Sequence, residues 1–181
     1  MIFRQYKGIG AISVITIQKA NEEHIDGIAK VCIDAYWATY SELLSSEYIN
    51  RMIREFYTYD RILKEITITN RQWNGWIVAV DDGMVVGAGG GGMISENHGE
   101  LFVLYLDPNR RKEGLGSMLL DAVTKELKEY GAKEQWVSVT KHNDKGIPFY
   151  EAKGFFCVHE QLEYGVVEGE DYMALRYHRM I

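Results

Sequence analysis

The stretch that decides the fold is ELFVLYLDPNRRKEGLGSMLLDAVTKELKEY, residues 100–130. It begins with an apolar run, Leu101 to Leu106, which ends at Asp107-Pro108 and is typical of a strand buried on both faces. A basic turn with two glycines follows, and apolar residues then recur at helical spacing as far as Gly131. A strand, a glycine-bearing loop and a helix in this order direct several unpaired backbone N–H groups at one point. The sequence therefore predicts a phosphate site at the start of the helix.

Two common phosphate loops do not fit this segment. No Gly-Lys-Ser/Thr follows the glycines, as a Walker A loop requires, and the third glycine of a dinucleotide-binding fingerprint would fall at Leu119. The hexapeptide Arg111-Lys112-Glu113-Gly114-Leu115-Gly116 instead resembles the acyl-CoA pyrophosphate loop of the GNAT acetyltransferases, Gln/Arg-x-x-Gly-x-Gly/Ala. The resemblance implies acetyl-CoA as the co-substrate. The loop residues expected to bind it are Arg111, Lys112, Glu113, Gly114, Leu115, Gly116 and Ser117.

Glu113 departs from the family pattern, which usually has a neutral or basic residue at this position. A carboxylate beside a pyrophosphate is repelled by it. If the side chain points outward, solvent screening makes the penalty small. The cations Arg110, Arg111 and Lys112 are expected to offset the phosphate charge.

A second motif follows one strand later. The segment from Asn143 to Phe155 resembles the GNAT signature Asn-x-x-Ala-x-x-Phe-Tyr-x-x-x-Gly-Phe, and the spacing from Asn143 to Tyr150 is intact. The resemblance spans roughly residues 14–178. It implies that Asn143 binds the CoA arm and that Tyr150 is the general acid that protonates the leaving thiolate. A phenol is suited to this step because it holds its proton at pH 7.

The resemblance also implies roles for the central strand. Its backbone near Leu104, Tyr105 and Leu106 would pair with the pantetheine arm and polarise the thioester carbonyl, and the parallel strands would separate there to admit the arm. Glu100, at the start of the strand, is the expected general base, directly or through water; a strand-end glutamate on the surface is the alternative. Some family members carry a base five residues before the Asn, where this chain has Ser138.

The acceptor site is expected at the first two helices. Residues 35–40 and 47–49 look like the matching region of bacterial spermidine/spermine acetyltransferases, with Trp37 and Tyr40 as acceptor-binding residues. Aromatic rings and the acidic stretch from Glu163 to Asp171 suit an organic cation. A small primary amine such as a polyamine is therefore the expected acceptor. A protein or peptide N-acetyltransferase and a non-catalytic CoA-binding sensor or partner subunit are the alternatives.

Composition restricts the partners. The chain has 181 residues and a net charge of −6, which argues against nucleic acid as the main partner. No apolar run reaches transmembrane length, so no membrane partner is expected. The apolar run near the N-terminus contains two glycines and is followed by no small-x-small cleavage site, so a signal peptide is not favoured and a cytoplasmic location is expected. Cys32 and Cys157 lie in apolar patterns and are interpreted as inert core thiols without metal-ligand spacing, so no metal is expected. A homodimer is left open.

The fold class expected from the resemblance is mixed α/β, in one acyltransferase domain of residues 1–181. It consists of a GNAT-like, mostly antiparallel sheet of six to seven strands with helices on both faces. One right-handed parallel β-α-β crossover carries the CoA loop. Residues 1–12 receive no assignment. The glycines Gly89–Gly92 are expected to end the third strand, as a bulge or irregular end or to leave room for a ligand.

Overall fold

The structure is a computed structural model that describes the backbone of residues 2–5 and all of residues 14–181. A 3-10 turn, Glu22–His24, precedes the first helix. The strands are β1 (Ile2–Gln5), β2 (Val14–Lys19), β3 (Trp76–Asp81), β4 (Met84–Met93), β5 (His98–Leu106), β6 (Glu134–Thr140), β7 (Phe156–Leu162) and β8 (Met173–Met180). The helices are α1 (Ile25–Tyr40), α2 (Ser46–Phe56), α3 (Tyr59–Thr67), α4 (Leu115–Glu129) and α5 (Gly146–Ala152).

The strands form one sheet in the order β1-β2-β3-β4-β5-β6-β8-β7. Within the described ranges every neighbouring pair is antiparallel except β5 and β6, which α4 connects. The mixed, mostly antiparallel fold with one parallel crossover is thus confirmed. The eighth strand, β1, lies in the N-terminal segment for which the sequence predicted no element.

Helices cover both faces of the sheet because successive side chains of a strand point to opposite sides. On β3, Ile77 packs in the core cluster that contains Leu119 of α4. Its neighbour Val78 packs on the other side with Ile28 of α1 and Ile62 of α3. The sheet therefore separates two apolar cores.

The expectation that Gly89–Gly92 end a strand is wrong, because all four lie inside β4 and are buried. A register shift between Gly90 and Gly91 does mark a bulge. The space beside the strand is filled by the chain itself. A Cβ on Gly92 would lie 1.9 Å from the carbonyl oxygen of Gln72, and one on Gly90 would lie 2.5 Å from the ring of Trp73. These glycines admit a protein loop rather than a ligand.

The expectation that residues 101–106 are buried on both faces is also wrong. Phe102 is 46% exposed, and residues 104–106 are only half-buried. The parallel pairing of β5 with β6 ends at Leu101 and Val137, although both strands continue. The two strands separate from that point, so the rest of β5 borders an open cleft.

The expectation that both cysteines are core thiols is wrong for Cys157, which is exposed on β7, whereas Cys32 is buried as expected.

Candidate active site

The gap between β5 and β6 opens into a cleft of about 440 Å³. Its walls come from β5, β6, α1, α5 and the loop before α4. The cleft brings together nine of the site residues expected from the sequence. They are Tyr40, Leu104, Tyr105, Leu106, Arg111, Lys112, Gly116, Asn143 and Tyr150.

The loop before α4 has the geometry of an anion site. Lys112 and Gly114 have left-handed backbones, with φ of 65° and 80°. The first backbone bond of the helix runs from Met118 N–H to Gly114 C=O at 3.1 Å. The helix therefore supplies no acceptor for the N–H groups of residues 115–117. At Gly116 a Cβ would lie 3.4 Å from Leu106, so the bare backbone keeps this end of the cleft open. The loop residues fit a pyrophosphate.

Glu113 does not present a free carboxylate to this site. Its two oxygens accept three hydrogen bonds of 2.6–2.9 Å from the guanidinium of Arg110. The same guanidinium donates to Asp81 Oδ2 at 2.7 Å. These contacts raise the pKa of Arg110, so it stays charged. Arg110 therefore neutralises Glu113 and Asp81, while Arg111 and Lys112 are the loop cations that line the cleft.

Asn143 holds the start of α5 and also borders the cleft. Its Oδ1 accepts hydrogen bonds from the backbone N–H groups of Lys145 and Gly146, at 3.2 Å and 2.9 Å. A Cβ on Gly146 would lie 2.7 Å from Asn143 Nδ2, so glycine at this position makes room for the amide. Burial raises the pKa of Tyr40, and hydrogen bonding from Tyr105, Thr140 and Asn143 partly opposes that increase. Asn143 therefore caps the start of α5 and lines the cleft at the same time.

Tyr150 lies in α5 and is 9% exposed. Its ring is flanked edge-on by Phe149 at 5.1 Å and Phe155 at 5.6 Å between centroids. Burial, with a smaller contribution from Tyr40, raises the pKa of Tyr150 well above its usual value of 10.0. The phenol therefore carries a proton at neutral pH and faces the cleft.

A second cleft, of about 810 Å³, adjoins the first. It is bounded by α1, α2, α3, the loop after α3, and the ends of β7 and β8. Aromatic and polar side chains together make up most of its lining. The two clefts share five residues at the gap between β5 and β6, which are Tyr40, Phe102, Val103, Tyr105 and Ser138.

Glu100 lines the second cleft but is neither free nor on the surface. It is 8% exposed, and both carboxylate oxygens are bound by the guanidinium of Arg176. The interpretation as a surface strand-end glutamate is wrong. The sequence did not single out Arg176, because only the strand order places β8 beside β6 and within reach of β5.

Of the two predicted acceptor-binding residues, only Tyr40 faces a cleft, although both pack against the same apolar cluster. Tyr40 lines both clefts, whereas Trp37 lines neither and packs against the cluster of Leu44 and Tyr48. Of the carboxylates in the stretch from Glu163 to Asp171, Glu163 alone lines the second cleft. The acidic run in the sequence pointed to this segment, but it did not indicate that Glu163 is the carboxylate that faces the second cleft.

The chain belongs to the acetyltransferase (GNAT) family, whose profile matches residues 33–155. It is 30% identical over 142 residues to a spermidine N(1)-acetyltransferase of Thermoplasma acidophilum, a match covering 78% of this chain and 88% of that one. It is 32% identical over 145 residues to the uncharacterized N-acetyltransferase YuaI of Bacillus subtilis, covering 77% and 79% of the two chains.

A solved structure has the same architecture. The PaiA N-acetyltransferase of Thermoplasma acidophilum, in complex with coenzyme A, has a TM-score of 0.77 at 27% identity, covering 92% of this chain and 99% of that one. The protein described here is accordingly an N-acetyltransferase, and the family and this neighbour support acetyl-CoA as its acetyl donor. No helix of the described residues has both the length and the apolar character needed to cross a membrane.

Proposed function

We propose that this acetyltransferase moves the acetyl group of acetyl-CoA directly to a primary amine of a small cationic molecule, such as a polyamine, in a ternary complex. The observation that carries the proposal is the meeting of the two clefts at the gap between β5 and β6. A thioester in the first cleft and an amine in the second can reach each other there without a covalent enzyme intermediate.

The first cleft is proposed to bind the cofactor. The N–H groups at the start of α4, with Arg111 and Lys112, would hold the pyrophosphate. The edge of residues 102–106 that faces β6 has no strand partner among the described residues, so its backbone groups are available to the pantetheine arm. Acetyl-CoA supplies the thioester. Preorganised backbone N–H groups of this strand would stabilise the charge that develops on the carbonyl oxygen.

Tyr150 is proposed to complete the transfer as general acid. The amine nitrogen forms the new C–N bond, the C–S bond breaks, and the departing sulfur takes the phenolic proton. Burial keeps that proton in place at neutral pH by raising the pKa of Tyr150. Positioned acids of this kind typically contribute about 10²–10⁴-fold to the rate.

Glu100 is proposed to accept the amine proton through a water molecule rather than directly. The ion pair with Arg176 uses both of its carboxylate oxygens, which disfavours direct contact with the amine. The carboxylate still lines the acceptor cleft, where a water can reach it.

A small cationic acceptor suits the second cleft. Its aromatic lining offers ring faces that attract organic cations. The relative that acts on spermidine covers most of the chain and supports the same class of acceptor.

The test is thiol release from acetyl-CoA with purified protein across polyamines, monoamines, amino acids, aminoglycosides and peptides. Turnover confined to small amines supports the proposal. Turnover confined to peptides would instead support a protein or peptide N-acetyltransferase. Tight CoA binding in calorimetry, with no turnover on any acceptor, would support a CoA-binding sensor or partner subunit.

Several predictions from the sequence accompany this proposal. Residues 1–181 form one acyltransferase domain, the protein works in the cytoplasm without nucleic acid or membrane partners, and no metal takes part. A homodimer is consistent with this set of predictions. In the ranges that the structure describes, no group of three or more metal-ligating side chains converges.

A further inference from the structure

The segment between β7 and β8 forms one wall of the second cleft and is held in place by α2. Tyr48 donates its hydroxyl hydrogen to the carbonyl oxygen of Tyr164 at 2.5 Å. Arg51 forms an ion pair of 2.6 Å with Glu170. These contacts fix the segment over α2, and its first residue, Glu163, lines the cleft.

The carboxylate of Glu163 lacks a charged partner. Its Oε1 is buried, and no described residue donates a hydrogen bond to it. The hydroxyl of Thr140 and the backbone N–H of Tyr164 interact with the carboxylate but do not neutralise it. None of the ion pairs in the described part of the chain includes Glu163. A desolvated anion without a counter-charge is unfavourable in the protein alone.

The other carboxylates of the cleft are already matched. Glu100 is bound by Arg176, and Glu65 forms an ion pair of 2.5 Å with Arg61. The second oxygen of Glu65 accepts a hydrogen bond from Trp76 Nε1 at 2.9 Å. The charged side chains that line this cleft are Arg61, Lys64, Glu65, Glu100, Glu163 and Arg176.

Aromatic rings surround the same volume. Tyr36 packs against Tyr40 and Tyr105 with ring centroids 4.7 Å and 5.7 Å apart. Burial raises the pKa of Tyr36, Tyr40 and Tyr48, and the negative charge of Glu163 adds to each shift. These phenols are therefore neutral at pH 7, and their ring faces attract cations. One unmatched carboxylate among neutral rings favours an organic cation with an apolar stem.

We propose that Glu163 is a specificity-determining residue that binds an ammonium group of the acceptor. This inference rests on the proposed function, because it concerns the acceptor of that reaction. The attacking nitrogen must be deprotonated, whereas pairing with a carboxylate stabilises the protonated form of an amine. The ammonium held by Glu163 is therefore a second nitrogen, and the acceptor is a diamine or polyamine rather than a monoamine.

The experiment compares 1,4-diaminobutane with butylamine, which differ by the second nitrogen. Wild-type protein should prefer the diamine by about tenfold or more in kcat/KM, as expected for a hydrogen bond to a charged group. Glu163→Gln should remove that preference by raising KM for the diamine, with kcat and CoA affinity unchanged. Glu168→Gln, an exposed carboxylate in the same segment, is the matched control and should behave like wild type.

A measurement on wild-type protein covers the case in which Glu163→Gln does not fold. Burial raises the pKa of Glu163 above its usual value of 4.5, so its carboxylate is lost as the pH falls through that raised value. Acidification also lowers the free-amine fraction of both acceptors, so the informative quantity is the ratio of their kcat/KM values, and the preference for the diamine over butylamine should shrink as the pH falls. Equal preference for both amines, or a preference that survives Glu163→Gln, would overturn the inference. Wild-type protein that acetylates no small amine at all would instead contradict the proposed function.

Discussion

Arg176 on β8 reaches across β6 to Glu100 on β5, and its two terminal nitrogens bind the two carboxylate oxygens. The Nη2–Oε2 distance is 2.8 Å, and Nη1 pairs with Oε1. The guanidinium also lies over the ring of Trp136, 5.6 Å from its centroid. Glu100 immediately precedes Leu101, the last residue of β5 that pairs with β6. The ion pair therefore connects three strands at the point where the sheet begins to open.

Removing one member of this pair should destabilise the protein. Glu100→Gln leaves the Arg176 guanidinium, whose side chain is 12% exposed, without its counter-charge. The expected loss is about 3–5 kcal/mol in the free energy of unfolding, measured by chemical denaturation. The double variant Glu100→Leu with Arg176→Leu should recover most of it, because no buried charge remains. An unchanged denaturation midpoint for Glu100→Gln would show that solvent screens the pair.

Tyr150→Phe should lower kcat by about 10²-fold or more, because the leaving thiolate loses its proton donor. CoA affinity in calorimetry should stay the same, since the ring remains. Tyr130→Phe, which removes a hydroxyl from an exposed tyrosine at the end of α4, is the control and should leave both constants unchanged. Turnover at the wild-type level in Tyr150→Phe would exclude the acid role.

The pH profile provides a separate check on the same residue. Burial raises the pKa of Tyr150 above 10.0, so the acid form persists throughout the neutral range and is lost only above that value. The kcat of wild-type protein should therefore show no alkaline decline from this group below pH 10.0. An alkaline limb with a lower midpoint that disappears in Tyr150→Phe would contradict the environment described for the phenol.

The Arg110–Glu113 pair should control cofactor affinity through charge. Arg110→Ala removes the cation that neutralises Glu113 and Asp81 beside the proposed phosphate site, so CoA affinity should fall by about tenfold at low salt. Glu113→Gln should leave affinity unchanged or raise it, because one anion is removed. Lys125→Ala, an exposed cation on α4, is the control.

Calorimetry at two salt concentrations measures these changes, and the loss in Arg110→Ala should shrink as salt screens the charges. Weaker CoA binding in Glu113→Gln than in wild type would show that the carboxylate helps the site rather than opposing it.

Gly92→Ala should destabilise the protein, because a Cβ there would lie 1.9 Å from the backbone oxygen of Gln72. Backbone cannot move as freely as a side chain, so the loss should reach at least about 1–3 kcal/mol, the range for overpacked cores. Gly89→Ala is the matched control in the same strand, since its Cβ would meet no atom closer than 3.4 Å. Equal denaturation midpoints for the two variants would mean that the loop after α3 can withdraw.

The local sequence pattern predicted most helices and strands, because the residues that start, end and stabilise such an element lie close together along the chain. Asn21 and Ser45 are of the residue types that favour helix starts, and their side chains accept backbone hydrogen bonds of 3.1 Å from Glu23 and Tyr48. The sequence signal for the loop before α4 was equally local, since the glycine spacing and the following apolar stripe fix its backbone. The sequence misjudged Gly89–Gly92, because the groups that exclude a side chain there come from a distant loop.

The sequence by itself determined the sheet-and-helix order, the loop at the start of α4 and the spacing from Asn143 to Tyr150, since each depends on neighbours along the chain. Only the tertiary structure decided which charges are matched. It paired Glu100 with Arg176 and placed Glu163, which lies 63 positions after Glu100 in the sequence, in the lining of the second cleft. The electrostatic energy of a carboxylate depends on its distance to a counter-charge and on its burial, and both are set by strand order rather than by chain position.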